Sequence, residues 1–165
     1  MPVAVIGVVT TTAREKWART DVHLDTHPQL KFFRFGMGGW EDSGGGVLVP
    51  RTPDPTLTDL DCIINPSRYP GAAELRFVWD SWLDYVSPNL QRFQGGDLWY
   101  EIPRTAVARC LINFDESNDR GDGEAPEFWE MGIFDEDGDM VVYATFPKET
   151  KTEDVELEKE VRITR

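Results

Sequence analysis

A chain of 165 residues can bury about two thirds of its extended surface around one core, so a single domain spanning residues 1–165 accounts for it. Hydrophobic residues at 40% and charged residues at 28% exclude wholesale disorder. The net charge of −13 repels phosphate backbones and argues against a nucleic-acid partner, and no apolar run approaches the length of a membrane span.

Val3 to Val9 is apolar and β-branched and reads as a strand. No charged leader feeds a long apolar segment there, so the chain is expected to be soluble and made in the cytoplasm. Thr12, with Glu15 three residues on, has the spacing of a capping box. That predicts one short N-terminal helix over Ala13 to Arg19, with Ala13 and Trp17 on its buried side. His23 and His27 are four apart, a spacing that suits metal ligands on a helix, but Pro28 breaks the helix and nothing completes a ligand set. Gln29 to Phe35 predicts the next strand, closed by Gly36-Met37-Gly38-Gly39. These are read as turn glycines, since the lysine and Ser/Thr of a phosphate-binding loop are missing.

Glu41 to Pro55 is rich in glycine and proline and predicts an exposed loop; Leu57 to Ile64 predicts a strand and Asn65 to Gly71 a turn. Leu75 to Val86 fits two periods. Leu75, Phe77 and Trp79 alternate as in a strand, whereas Leu75, Trp79, Trp82 and Val86 share a helical face, and the β character of the neighbours favours a strand. Leu98 to Ile102 and Thr105 to Phe114 follow as strands, the second with Ala106, Ala108, Cys110, Ile112 and Phe114 on one side. Cys62 and Cys110 are too few for a disulfide framework, and Cys110 suits its apolar run as a small hydrophobe. Asp115 to Pro126 is a polar loop. Arg120-Gly121-Asp122 within it spells an integrin-binding tripeptide, which the loop's composition explains.

The organising stretch is Phe128 to Pro147. Two apolar runs flank Asp135-Glu136-Asp137-Gly138, and Asp-Gly marks the turn of a hairpin because Gly138 takes the positive φ that a tight turn needs. Alternation puts Trp129, Met131 and Ile133 on one face of the first strand, with Phe128, Glu130, Gly132 and Phe134 opposite. On the second strand Met140, Val142, Ala144 and Phe146 share a face, with Val141, Tyr143 and Thr145 opposite. A hairpin apolar on both faces must be covered on both, so Trp129, Met131, Gly132, Ile133, Phe134, Met140, Tyr143 and Phe146 are candidate core or interface residues, with Asp135, Asp137 and Gly138 forming the turn. Asp135, Asp137 and Asp139 alternate as calcium ligands do, but Met140 stands where an EF-hand has its glycine and Phe146 where it has its glutamate, so solvated turn acids are expected. Finally Val155, Leu157, Val161 and Ile163 alternate with charged residues, Lys159 being the one charge on the apolar side, as in a half-exposed or edge strand.

The block Trp129-Glu130-Met131-Gly132-Ile133-Phe134-Asp135-Glu136-Asp137-Gly138-Asp139-Met140, followed by Tyr143 to Pro147 and Lys151, resembles a motif of bacteriophage tail-collar fibre proteins. The resemblance is firmest between Ala106 and Lys151. In that family the domain fixes a tail fibre to the baseplate and usually leads into a shaft; here the chain stops at Arg165. The resemblance implies a mostly β structural virion protein of the tail, an adaptor or collar that binds baseplate and fibre proteins as a homotrimer and needs no cofactor. An alternative is a host-receptor module whose loops Gly39-Trp40 and Asp97-Leu98-Trp99 stack on glycans. No catalytic residue, metal ligand or cofactor site is expected, because the two histidines lie outside any nucleophilic or metallohydrolase context and nothing singles out a carboxylate pair.

Overall fold

The computed structural model describes residues 3–5, 7–23, 28–69, 78–82, 92–95, 98–101 and 105–164, and the chain is mostly β. In chain order the first elements are β1 (Val3–Val5), β2 (Val8–Val9), α1 (Thr11–His23), β3 (Leu30–Gly36), β4 (Trp40–Asp42), β5 (Leu48–Pro50) and the short α2 (Asp61–Ile64). There follow β6 (Val78–Trp82), β7 (Arg92–Gly95), β8 (Leu98–Glu101), β9 (Thr105–Ile112), β10 (Glu127–Asp135), β11 (Met140–Thr150) and β12 (Leu157–Thr164). His27, Gly71, Leu75 to Phe77, Leu83 to Val86, Asp97 and Ile102 lie outside the described residues.

Two five-stranded sheets carry the architecture, ordered β1-β12-β9-β8-β7 and β2-β11-β10-β3-β6, and β4 with β5 forms a separate two-stranded ribbon. Among the described residues every pairing is antiparallel except β1 with β12. The sheets meet through one cluster, in which Ala108, Cys110, Ile112, Leu157, Val161 and Ile163 of the first face Phe33, Phe35, Met131, Ile133, Val142, Ala144 and Phe146 of the second. A smaller cluster, with Leu57, Leu60, Cys62 and Tyr69 against Phe134, Met140 and Tyr143, covers another part of β10 and β11. The hairpin is apolar on both sides because it is a middle layer. No helix among the described residues is long and apolar enough to cross a membrane.

The run Val3 to Val9 is divided between the sheets. Its first part pairs with β12 and its second with β11, and Gly7 between them passes so close to β11 that a Cβ would lie 2.6 Å from Val142 and 3.1 Å from the Tyr143 carbonyl. The helix begins earlier and ends later than its capping-box spacing predicts. Thr10 rather than Thr12 holds its start: the Thr10 carbonyl and hydroxyl accept from the N–H groups of Arg14 (3.1 Å) and Ala13 (3.2 Å), while the hydroxyl donates to the Met140 carbonyl (2.5 Å). A long-range partner selected the cap. Ala13 is buried and Trp17 packs on the larger cluster, as the spacing predicts.

Three other expectations change. Leu57 to Ile64 is not a strand: Leu57 and Leu60 drop into the smaller cluster from a loop, and Asp61–Ile64 is one helical turn. The exposed stretch after Glu41 contains the β4–β5 ribbon. And β12 is interior, lying between β1 and β9, although its charged residues alternate outward as on a one-sided sheet. Lys159, its charge on the apolar side, is buried by reaching Glu149 (2.8 Å) with its ammonium 4.5 Å from the Phe146 ring centre. Ala108, Cys110 and Ile112 share the buried side of β9 as predicted, but Phe114 lies beyond the strand and is exposed.

Candidate functional site

The polar centre of the molecule is Glu130, a fully buried acid in the middle of β10. It pairs across the sheet with Gly36 of β3 and Thr145 of β11. Its carboxylate accepts from the backbone N–H of Asp61 (2.8 Å) and of Cys62 (3.1 Å) and from the Tyr143 hydroxyl (2.6 Å). Burial raises its pKa above the ordinary glutamate value, and the hydrogen bonds from Tyr143, from Cys62 and from the backbone act in the other direction. Burial, with Glu130 beside it, likewise pushes the Tyr143 phenol up.

Asp61 forms a second layer above Glu130. It too is buried, and it accepts from Arg68 through both oxygens (2.9 Å each), from the Asn65 amide (2.8 Å) and from the Tyr69 hydroxyl, which itself accepts from the Gly39 N–H (2.7 Å). The glycines explain how the layers come so close. A Cβ on Gly36 would lie 2.7 Å from Leu60 and 2.8 Å from Glu130, and one on Gly38 would lie 2.7 Å from the backbone nitrogen of Cys62. The cluster read as turn glycines is therefore a buried contact surface, and only Gly39, at φ +84°, also needs glycine for its backbone angle. The arrangement is a clamp. It fastens the segment from Met37 to Tyr69 onto the face of the sheet.

The predicted hairpin residues come together as predicted, with two changes of face. Trp129, Met131, Gly132, Ile133, Phe134, Asp135, Met140, Tyr143 and Phe146 are all buried, while Asp137 and Gly138 stand exposed in the turn. They belong to the chain's own interior. Phe128 pairs with Glu149 whereas Glu130 pairs with Thr145, and this irregularity puts Phe128, not Trp129, with Met131 in the larger cluster. Trp129 instead has its ring 6.4 Å from that of Trp40. A second irregularity pairs Ile133 with Val142 but Phe134 with Met140, so Met140 joins the side of Phe134 and Tyr143 rather than that of Val142.

The acids of the turn are not simply solvated. Asp135, Asp137 and Asp139 bring carboxylate oxygens within 4.8 Å of one another, and the Lys16 ammonium from α1 enters among them at 2.9, 3.0 and 2.6 Å. Burial works against the charge on Lys16, yet the bonds to Asp139, Asp135 and Asp137 outweigh it and hold its pKa above the lysine value. An ammonium thus occupies the position a cation would take. At the other end of β11, buried Lys151 donates to the side-chain amide oxygen of Asn118 (2.6 Å) and to the backbone carbonyl of Thr152 (2.9 Å), tying down the loop after β9, and burial lowers its pKa. Within that loop Arg120 donates to both oxygens of Asp122 (2.9 Å), so the charges of the Arg-Gly-Asp tripeptide satisfy each other. Beside β6, a cavity of about 310 Å³ is lined by Phe32, Arg34, Asp80 and Ser81; Arg34 is held by both oxygens of Asp59 (2.9 Å) and lies 4.9 Å from the Phe134 ring centre.

Trp40, proposed from sequence as a sugar-stacking residue, is engaged internally. Its indole N–H donates to the Met37 carbonyl (2.9 Å), and Tyr69 meets its ring edge-on at 4.9 Å. The Trp99 side chain lies outside the described residues. Sequence reasoning missed Lys16, Asp61, Tyr69 and the role of Glu130. The available signal was Glu130 itself, one acid inside a run of apolar residues, which a two-sided buried strand tolerates only when donors meet it. The chain matches no protein-family model, no curated protein and no solved structure.

Proposed function

We propose that this chain is a structural protein of a bacteriophage tail, a baseplate adaptor or collar that attaches fibres. It would be made in the host cytoplasm and carried in the virion as a homotrimer. Its action is binding to other baseplate or fibre proteins, with no bond made or broken and no cofactor. The supporting observation is that the residues resembling the tail-collar motif coincide with those on which the fold depends. Glu130 clamps the Met37 to Tyr69 segment, Gly132 leaves room for Met140, whose sulfur would lie 2.7 Å from a Cβ there, and Asp135 closes the turn. Lys151 ends the block by anchoring the loop before it. A motif whose residues have these structural duties supports reading the resemblance as one of scaffold rather than of reaction.

Gold-labelled antibody on purified particles from the source lysate tests the assignment by electron microscopy. Label at the tail base is expected. Label on the head, or none despite recognition of the free protein, overturns it. Light scattering on the purified protein tests the trimer, for which a single monomeric species is the contrary result.

A further inference from the structure

The segment between β3 and β6 stands outside both large sheets and concentrates the exposed apolar side chains. Of the seven large apolar residues exposed among the described residues, four belong to it: Val47 (59%), Leu48 (41%), Ile63 (38%) and Ile64 (44%). Single exposed apolar residues are ordinary, but a concentration in one segment points to a contact surface. The segment is also rigidly mounted. Arg51 at the base of the ribbon donates its N–H to the Gly39 carbonyl (2.8 Å), reaches Asp61 (3.9 Å) and Glu41 (3.6 Å), and offers its carbonyl to the Thr145 hydroxyl (2.6 Å). The ribbon and α2 are therefore fixed to the same two points, Gly39 and Asp61, and little ordering remains to oppose binding.

Charge selects the partner. Trp40 to Tyr69 carries five acids and two arginines, and both arginines are occupied by carboxylates of the segment itself. Glu41 and Asp42 stay exposed on the ribbon, Asp42 directly across from Leu48, and Asp54 is exposed in the loop that leads to α2. A second copy of this chain would bring the same acids to the contact and repel, whereas a basic rim would be attracted. We infer that the β4–β5 ribbon and α2 form a docking surface for a protein that presents apolar side chains ringed by lysine or arginine. The inference rests on the tail reading, in which that protein is another component of the particle.

The test uses particles produced without this protein and purified chain added back, with bound protein measured by quantitative immunoblot after sedimentation. Wild type is expected to bind, less so as salt is raised. Leu48→Lys/Ile64→Lys and Glu41→Lys/Asp42→Lys, at wild-type thermal stability, are expected to bind about tenfold less or weaker still. Equal binding by both variants overturns the docking surface and leaves the tail reading standing. Failure of wild type to bind to any particle overturns the tail reading, and the inference with it. Dissociation of a wild-type oligomer by Leu48→Lys/Ile64→Lys would identify a second copy as the occupant and overturn the basic partner. Because Asp42 also holds the ribbon's turn through Gly44 and Gly46, Glu41→Lys alone, which removes only a surface pair with Arg51 and is likewise expected to bind less, keeps the question decidable if a double variant misfolds.

Discussion

The β4–β5 and β10–β11 hairpins share their turn chemistry. In the first, Asp42 accepts from the N–H groups of Gly44 (2.8 Å) and Gly46 (3.2 Å) through one oxygen; in the second, Asp135 accepts from those of Asp137 and Asp139 (3.0 Å each) in the same way. Each turn also has glycine at positive φ, with Gly46 at +83° and Gly138 at +84°. Their surroundings are opposite. β10 and β11 carry apolar groups on both faces and become the middle layer of the fold, while the acids of β4 keep their ribbon at the surface. The difference teaches that an Asp-and-glycine turn sets where a chain reverses, and the side chains of the strands set how deep the hairpin lies.

The largest effect expected from breaking this contrast is at Glu130. Glu130→Leu leaves the N–H groups of Asp61 and Cys62 and the Tyr143 hydroxyl buried without their acceptor, and should cost about 3–5 kcal/mol in denaturant unfolding. The same residue gives a pH dependence. Because burial raises its pKa in the folded chain, its contribution is full below the ordinary glutamate value and is lost as pH rises through the folded value. Urea titrations of wild type and Glu130→Leu should therefore converge as pH rises, and parallel curves would contradict the shift.

Gly38→Ala should cost about 1–3 kcal/mol, because its Cβ forces α2 away from the sheet. The sharper readout is Cys62, now buried, whose thiol should react faster with a labelling reagent. Gly138→Val and Gly46→Val impose similar backbone strain of about 1–2 kcal/mol, with open space around both positions. The first should lower the global melting temperature and yield insoluble protein; the second should leave global unfolding unchanged, because its strain falls on the exposed tip of the ribbon, beyond the Arg51 bonds that hold the base. A matching loss of stability in both would mean that the ribbon belongs to the cooperative core. Lys16→Met should cost about 1 kcal/mol and less at high salt, since Asp137 and Asp139 are partly solvated.

Much of this architecture is legible in the sequence. The alternation of β9, the two-sided apolar character of Phe128 to Pro147 and the turn at Gly138 are local properties, set by a period of two and by which residues tolerate positive φ. From them follow the mostly β class and the burial of the central hairpin. Other features depended on partners distant in sequence. Thr10 caps α1 because the Met140 carbonyl holds it, β12 is interior because β1 arrives beside it, and the apolar run Leu57 to Ile64 loops because Glu130 fixes the N–H groups of Asp61 and Cys62. The two pairing irregularities that move Trp129 and Met140 to other faces leave the strand composition unchanged, so period alone cannot register them. The sequence by itself determined where the chain runs as strand and where it turns, because those choices are made within a few residues. Only the tertiary structure decided which acids are buried and which lysine neutralises which turn, because a charge in the interior is tolerated only where remote donors converge on it.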